Sequence, residues 1–581
     1  MTVADPAGAY FVGLQGQNEA WLATQFGQVL QHWFDWRRSR FPQDGACLSH
    51  PQSVDALTTE KLRLSEALRE LCRAYEAETP TFTPRYIGHM KADISIPALL
   101  GWFVAMLHNP NTTSREASRV GSRIEQEAIE MLATMLGFAP EKAQGHFTSG
   151  GTVANFEAVW RARYRLDHWL SLGLYLSEQN GSRLDPFVAG HAGWEAFDAL
   201  YAEHNLSDTL LKSCSAAIGN PVLTAQRIAR AMGTDYYGPV ILVPGNKHYS
   251  WRKAANVFGL GEQAFWSVAL DADGRLDCDD LNARLTMARH AQRPVLMVVS
   301  VAGTTETGTL DPIDRVQACL DRWQAEFGFH IWHHVDAAYG GFFCSLIDRT
   351  DDAADSTALP LAQRAALRAI GRAQSVTIDP HKLGYVPYAC GAFLTHDTVA
   401  YRTSAFEAPY LERKGPAENW AQTLEGSRAA SGASATWLSG KSFEFTPHGL
   451  GAILSRTIQA RQTLQARLEA STDVLHFLPA AETNILCFFV APEGVALSEA
   501  NRLTETLFET LVASPEVSVS KTRLGQEYDA LIRRHVARYH GQHEPDVGLV
   551  LIRAVFMNPQ WATQTDPEPV HQTLLTLIKD A

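Results

Sequence analysis

The stretch SVTIDPHKLGYVPYACGAF, residues 375–393, places an Asp, a Pro, a His and a Lys in a row directly after a short apolar run. The run is typical of a buried strand, so His381 and Lys382 follow a strand end. Open α/β sheets bind ligands in the crevice beyond the carboxyl ends of their strands. The alternative interpretation is a surface turn with a solvated lysine, since most lysines are solvated.

Short apolar runs alternate with helical stretches between about residue 120 and residue 400. The runs are PVILVP from Pro239, PVLMVVSVAG from Pro294, HIWHHVDAA from His330 and QSVTID from Gln374. A parallel sheet that is covered on both faces requires fully apolar short strands of this kind. The sequence therefore predicts a large α/β domain with a mainly parallel sheet.

The segments on either side of this region have a different pattern. The first eighty residues have the periodicity of amphipathic helices. Beyond about residue 440 a helical stretch from Ile453 precedes the strand-like runs TNILCFFVAP and VGLVLIRAVF, which indicates a smaller α+β domain. We expect a helical amino-terminal segment over residues 1–115, the large domain over 116–440 and the small domain over 441–581.

Composition excludes several classes of function. The formal net charge is −13 and we find no run of Lys and Arg, so a nucleic-acid partner is not expected. The longest apolar runs are about half of the roughly 20 residues that cross a bilayer, so no membrane span is expected. The amino terminus lacks the features of a secretory signal, and the eight cysteines show no C-x-x-C pair. These features predict a cytoplasmic protein without a structural metal.

The sequence FTSGGTVAN suggests an anion site. Ser149, Gly150, Gly151 and Thr152 directly precede a helix that is predicted to begin at about Val153. Free backbone N–H groups and hydroxyls at a helix amino terminus suit a phosphate. Simple helix capping by the same residue types is the alternative.

Two further polar residues follow predicted strands. Asp336 ends the run from His330, and a buried carboxylate requires a partner. That partner is either an Arg or helix terminus, or a protonated ring nitrogen, with Ala337 and Ala338 leaving room for a flat ring. His248 follows the run from Pro239 and either stacks on such a ring or is a structural histidine.

One ligand accounts for all four groups. A phosphate on residues 149–152, a ring between His248 and Ala338, a ring nitrogen on Asp336 and an aldehyde on Lys382 together describe pyridoxal 5′-phosphate. Its chemistry needs a lysine for the aldehyde and an acid that keeps the ring nitrogen protonated. The sequence therefore predicts pyridoxal phosphate as the cofactor.

Five motifs in this chain resemble a known family. They are TSGGTVAN, HYSWRKA, HVDAAYGG, DPHKLGYVPY and LEGSRAASGASA, in a region that runs from about Tyr86 to Ala435. They are similar to the group II pyridoxal-phosphate amino-acid decarboxylases and, within them, to the bacterial tyrosine decarboxylases. The resemblance implies fold type I of the pyridoxal-phosphate enzymes, a homodimer, and decarboxylation of an L-amino acid such as L-tyrosine or L-DOPA.

The resemblance also implies roles for residues around the cofactor. Lys382 corresponds to the lysine that forms the Schiff base, Asp336 to the partner of the pyridinium nitrogen and His248 to the stacking ring. Ala338 corresponds to the opposite wall of the ring site. Thr305 and His381 belong to the surroundings of the cofactor or of the substrate carboxylate.

On the substrate side the resemblance implies another set of residues. Tyr410 corresponds to a loop tyrosine that protonates the substrate α-carbon. Arg553 resembles an arginine that holds the substrate α-carboxylate in related glutamate decarboxylases. His89, Ile96 and Tyr388 correspond to the pocket for the substrate side chain.

Alternatives to an aromatic substrate remain. An acidic amino acid would require a second cation, for which Arg428 or Lys91 is available, and Arg428 stands where closer relatives are expected to have Lys. Another pyridoxal-phosphate lyase of the same fold is a further alternative. A non-enzymatic scaffold is disfavoured because every catalytic position is filled, and TSGG lacks the G-x-G-x-x-G spacing of NAD sites.

Overall fold

The structure is a computed structural model that describes residues 6–44, 58–349, 358–404, 423–478, 482–563 and 568–580. Its large sheet has the order β1-β7-β6-β5-β4-β2-β3. β7 is antiparallel to both of its neighbours, whereas the other paired strands run parallel. The strands are β1 Gln144–Thr148, β2 Val240–Pro244, β3 Phe265–Val268, β4 Val295–Val301, β5 His333–Ala337, β6 Ser375–Ile378 and β7 Gly391–Thr395.

Helices connect these strands and continue to the carboxyl terminus. In chain order they are α1 Glu19–Arg40, α2 Thr58–Tyr75, α3 Ile96–His108, α4 Arg119–Leu136, α5 Gly151–Asn180, α6 Pro186–Gly190, α7 Trp194–Glu203, α8 Asp208–Ser213, α9 Pro221–Met232, α10 Ser250–Val257, α11 Cys278–His290, α12 Ile313–Phe327, α13 Leu361–Ala369, α14 Thr398–Thr403, α15 Ser431–Ser442, α16 Leu450–Ser471, α17 Leu497–Ala513, α18 Asp529–Arg538, α19 Gln560–Thr563 and α20 Glu568–Asp580.

The large sheet is buried on both faces, as its apolar strands predict. Alternate residues of β2 belong to different clusters: Ile241 and Val243 pack with residues of α5, whereas Val240 and Leu242 pack with residues of α11 and α12. Because successive side chains of a strand point to opposite faces, both faces require apolar residues.

A second sheet lies in the carboxyl-terminal part of the chain. Its order is β10-β11-β9-β8, and all its pairs are antiparallel. The strands are β8 Leu475–Phe477, β9 Ile485–Val490, β10 Ser520–Leu524 and β11 Leu549–Val555. One buried cluster joins residues of β5 and β6 to residues of β9 and β11, so the two sheets share a core.

The amino-terminal helices leave much apolar surface exposed. α1 contacts α3 through Phe26 and Phe103, whose ring centroids lie 4.8 Å apart. On α2, apolar side chains at helical spacing are more than half exposed: Leu64, Leu68, Leu71 and Tyr75. Exposed apolar stripes of this kind mark interaction surfaces.

The predicted fold class is confirmed: the chain is an α/β protein with a large, mainly parallel sheet and a smaller antiparallel one. The helix predicted from about Val153 begins two residues earlier, at Gly151. Among the described residues, no helix combines the length and the apolar character that a bilayer span requires. The three-part division at residues 115 and 440 stays a prediction.

Candidate active site

The carboxyl ends of five parallel strands meet at one cavity of about 320 Å³. β1 leads to Ser149, β2 to His248, β4 to Thr305, β5 to Asp336 and β6 to Lys382. The predicted residues that line the cavity are Ser149, Gly150, Gly151, Thr152, His248, Thr305, Asp336, Ala338, His381, Lys382 and Tyr388. The structure thus brings together every residue that was predicted for the cofactor.

Asp336 is held by neutral hydrogen-bond donors. Its Oδ2 accepts a hydrogen bond from Asn155 Nδ2 at 2.8 Å and from Trp251 Nε1 at 3.1 Å. Its Oδ1 accepts one from the Ala338 N–H at 3.3 Å. In the part of the chain that the structure describes, Asp336 forms no ion pair, although the residue is only 4% exposed. A buried carboxylate of this kind suits a cation that the ligand itself brings.

Two histidines at the cavity are held in the neutral form. Burial lowers the pKa of His248, and burial also lowers the pKa of His381. Ser250 Oγ lies 2.9 Å from His248 Nδ1 and fixes the orientation of that ring. An uncharged ring can lie against a protonated heterocycle without charge repulsion.

The turn before α5 forms a close-packed cup. A Cβ atom at Gly151 would lie 2.9 Å from Asp379 Oδ2 and 3.1 Å from Ala338 Cβ, so a side chain would fill the space at the helix amino terminus. The residue is therefore restricted to glycine, and the first turn of α5 faces the cavity. This geometry suits a phosphate at the helix amino terminus.

Lys382 provides the one ammonium group among the described residues that line the cavity. Its Nζ lies 3.2 Å from Asp379 Oδ2. A lysine, a neutral histidine ring, a carboxylate without an ion pair and a phosphate cup are the parts that pyridoxal phosphate needs. The residues present therefore fit this cofactor.

Only some of the predicted substrate residues line the cavity. Tyr388 lines the cavity, is 55% exposed, and its ring centroid lies 4.2 Å from that of His381. Arg553 and the exposed His89 are not part of the cavity lining, and Arg553 Nη2 lies 3.2 Å from His89 Nδ1. Ile96 is buried in the first turn of α3 and is not part of the lining.

Arg553 nevertheless reaches the edge of the cavity. Its Nη1 donates to the carbonyl of Thr305, which lines the cavity, and its Nε donates to Ser520 Oγ at 3.1 Å. Burial lowers the pKa of the adjacent His89, and the charge of Arg553 adds to this effect. Tyr410 lies outside the described residues, and the roles of all these substrate residues stay predictions.

The two cations considered for an acidic substrate are engaged elsewhere. Arg428 is buried, pairs with Glu125 and donates to the Phe147 carbonyl at 3.1 Å. Lys91 lies 3.9 Å from Glu78 and is not part of the cavity lining. Neither side chain is placed to meet a second carboxylate in the cavity.

Several residues at this site were not predicted from the sequence, among them four with polar or indole side chains that contact Asp336 or Lys382 or line the cavity. Asn155 and Trp251 hold Asp336, Asp379 pairs with Lys382, and Asn246 lines the cavity. Asn155, Trp251 and Asp379 stand inside the motifs TSGGTVAN, HYSWRKA and DPHKLGYVPY, so the motifs themselves carried a signal. Their contacts join segments far apart in sequence, which only the folded chain reveals.

The fold and the site together define a pyridoxal-phosphate-dependent enzyme. Residues 229–491 match the family model described as the pyridoxal-dependent decarboxylase conserved domain. L-tyrosine decarboxylase from Levilactobacillus brevis is 29% identical over 86% of this chain and 82% of its own length. L-tyrosine decarboxylase from Enterococcus faecium is 28% identical over 82% of this chain and 78% of its own length.

The solved structures agree on the fold. The crystal structure of mouse CSAD in its apo form has a TM-score of 0.62 and 19% sequence identity. The match covers 96% of this chain and 99% of that one. The family model and the curated relatives support a group II pyridoxal-phosphate-dependent amino-acid decarboxylase, similar to the tyrosine decarboxylases.

Proposed function

We propose that this enzyme converts L-tyrosine, or a closely related aromatic L-amino acid such as L-DOPA, to the amine and carbon dioxide. The observation that carries the choice of an aromatic substrate is the cavity lining, in which Lys382 is the single Lys or Arg among the described residues. An acidic side chain would require a second cation there. The similarity to two bacterial L-tyrosine decarboxylases supports the same choice.

Different residues around the cavity would hold different parts of the cofactor. Ser149, Gly150, Gly151 and Thr152 would bind its phosphate at the amino terminus of α5. Asp336 would keep its ring nitrogen protonated, and Asn155 and Trp251 orient that carboxylate. His248 and Ala338 would bound the ring, and Lys382 would hold the aldehyde carbon. When bound, pyridoxal phosphate supplies a ring that accepts the electron pair left at the α-carbon after carbon dioxide departs.

The remaining steps need a carboxylate anchor and a proton donor. Arg553 would bind the substrate α-carboxylate, because its planar fork matches a carboxylate. Binding there would exchange the Thr305 carbonyl or His89 for the substrate, since both now contact the guanidinium. Tyr410 would return a proton to the α-carbon, and His381 would lie beside the reacting atoms with its neutral ring.

A phenolic substrate needs a flat space with a polar end. Tyr388 stands half-exposed at the cavity and offers a hydroxyl to the substrate phenol. A site that hydrogen-bonds a hydroxyl discriminates against an analogue without it more strongly than a site that fills volume. His89 and Ile96 would contribute to the substrate pocket, although neither lines the cavity itself.

The substrate assignment is tested by competition. The purified enzyme with pyridoxal phosphate receives equal concentrations of L-tyrosine and L-aspartate, and the amine products are separated and quantified. We expect tyramine to exceed β-alanine by about 100-fold or more. An excess of β-alanine would show that the enzyme prefers an acidic amino acid as its substrate.

We also propose that the enzyme is a cytoplasmic homodimer. The apolar stripe of α2, formed by Leu64, Leu68, Leu71 and Tyr75, has the exposure and spacing of a surface that a second copy covers. The three-part division at residues 115 and 440 is part of this proposal, because the amino-terminal helices would serve assembly.

The dimer is tested on α2 itself. We expect the native chain to have the mass of a dimer by light scattering, and the double variant Leu68→Glu, Leu71→Glu to shift toward the monomer. The control Glu66→Gln, Arg73→Gln changes two other exposed positions of the same helix. A monomeric native chain, or equal masses for both variants, would contradict the proposal.

A further inference from the structure

Asp379 is a buried carboxylate beside Lys382 to which the cofactor site described above assigns no role. It is 2% exposed and lines the cavity three residues before Lys382. Its Oδ2 lies 3.2 Å from Lys382 Nζ and 3.5 Å from His381 Nε2. Its Oδ1 is buried and finds no hydrogen-bond partner within the described part of the chain. A half-satisfied buried carboxylate costs stability, so its retention needs an explanation.

The backbone around Asp379 keeps the carboxylate in one place. A Cβ atom at Gly391 would lie 2.8 Å from Asp379 Oδ1, and one at Gly151 would lie 2.9 Å from Oδ2. Gly391 begins β7 and Gly151 begins α5, so two elements enclose the carboxylate from different sides. The carboxylate therefore has a fixed position relative to the lysine.

The ion pair has a chemical consequence for Lys382. The pair exists while Nζ carries its proton, whereas a carbonyl carbon is attacked by the neutral amine. Capture of an aldehyde by the ammonium form joins Nζ to the carbon as a C=N bond, releases the carbonyl oxygen as one water and releases one proton. An ammonium held by a carboxylate must give up that contact before capture.

We propose that Asp379 is a positioning residue that holds Lys382 as an ion pair in the cofactor-free enzyme and so controls the rate at which Lys382 captures pyridoxal phosphate. This inference rests on the cofactor role of Lys382 and goes beyond it, because it concerns the step before catalysis. Other groups that face Asp379 are His381, His248, Tyr388 and Cys390, and Glu425 lies nearby, where it accepts the Ser149 N–H.

The test measures capture rather than turnover. Cofactor-free native enzyme and Asp379→Asn are mixed with pyridoxal phosphate or with pyridoxal, which lacks the phosphate. Capture is followed by absorbance at pH 7, and borohydride trapping with peptide mapping locates the bond at Lys382. Because Asn cannot hold the ammonium group as an ion pair, we expect Asp379→Asn to capture both aldehydes about 10-fold faster than the native enzyme.

The two aldehydes separate the possible causes. A change confined to pyridoxal phosphate would show that Asp379 acts on the phosphate instead of the lysine, and equal rates for native enzyme and variant would show a structural role; either result overturns the proposal. Trapping at a lysine other than Lys382 in the native enzyme would instead overturn the cofactor assignment.

Two more variants keep the proposal testable if Asp379→Asn does not fold. Asp379→Ser also removes the charge and is smaller, so it keeps the test available if the Asn variant does not fold. Asp379→Glu keeps the charge and is expected to capture both aldehydes at about the native rate. The matched control is Asp397→Asn, because Asp397 is a largely buried carboxylate 3.5 Å from Arg165 that does not line the cofactor cavity. We expect its capture rate to equal that of the native enzyme.

Discussion

The cofactor half and the substrate half of this active site are built in different ways. Asp336 lies near the carboxyl end of β5 and Lys382 follows β6 of the same sheet, and all the predicted cofactor residues line one cavity. In contrast, His89 and Arg553 are 464 positions apart in the chain and contact each other outside the cavity lining. The sheet therefore brings the predicted cofactor residues together, whereas the predicted substrate residues depend on contacts between distant segments.

The largest expected effect is on the cofactor half. Lys382→Ala removes the amine that holds the aldehyde, so we expect decarboxylation to fall by at least about 1,000-fold. Borohydride should then trap no cofactor on the peptide that contains position 382. The control is Lys247→Ala, which removes a nearby lysine that does not line the cavity. Full trapping in Lys382→Ala would refute the role of this lysine.

Asp336→Asn tests the next part of the same half. The substitution keeps the shape but removes the charge that would hold the ring nitrogen protonated, so we expect kcat to fall about 100-fold. Borohydride trapping at Lys382 should persist, because the lysine is unchanged. Steady-state kinetics and trapping measure the two effects separately. A native kcat in Asp336→Asn would show that the ring nitrogen has another partner.

The substrate half is tested by Arg553→Lys. Lysine keeps the charge but loses the planar fork, so we expect KM for L-tyrosine to rise about 10-fold while cofactor capture stays normal. Arg461→Lys is the matched control, because Arg461 is similarly buried and donates to the Thr483 carbonyl. Equal KM values in the two variants would leave Arg553 with a structural role alone.

Tyr388→Phe sharpens the assignment of the substrate. Loss of the hydroxyl should lower the ratio of kcat/KM for L-tyrosine over L-phenylalanine about 10-fold. Tyr249→Phe is the control, since Tyr249 is exposed and does not line the cavity. An unchanged ratio in Tyr388→Phe would place recognition of the phenol elsewhere.

The smallest expected effect concerns pH. Burial places the pKa of His248 below its ordinary value of about 6.5, so the ring is neutral above that pH. We expect retention of the cofactor after dilution to be constant from pH 6.5 to pH 8 and to weaken a fewfold at more acid pH, where the ring becomes charged. His248→Phe should remove this acid-side loss, and its persistence would assign it to another group.

Most of the fold was predictable because it depends on local patterns. The apolar runs from Pro239, Pro294 and His330 became β2, β4 and β5, and the Gly-rich turn became the start of α5. Most cofactor residues followed from the same patterns, since strand ends of a parallel sheet meet at one edge, whereas Thr305 and His381 came from the family resemblance.

What could not be predicted depends on contacts between distant segments. The bonds from Asn155 and Trp251 to Asp336 span 181 and 85 positions, and no periodicity encodes them. Arg428 was considered for an acidic substrate, yet its charge is used by Glu125, 303 positions away. The pairing of Arg428 with Glu125 depends on the tertiary packing of the whole domain, so it could not be read from the sequence.

Decarboxylation of L-tyrosine is tested with substrate that carries ¹³C in its carboxyl group and is supplied in D₂O. We predict labelled carbon dioxide and tyramine in a ratio of one to one, with one deuterium on the carbon that carried the carboxylate. Labelled carbon dioxide with an aldehyde in place of tyramine, or no release of label, would contradict the proposed decarboxylation to the amine.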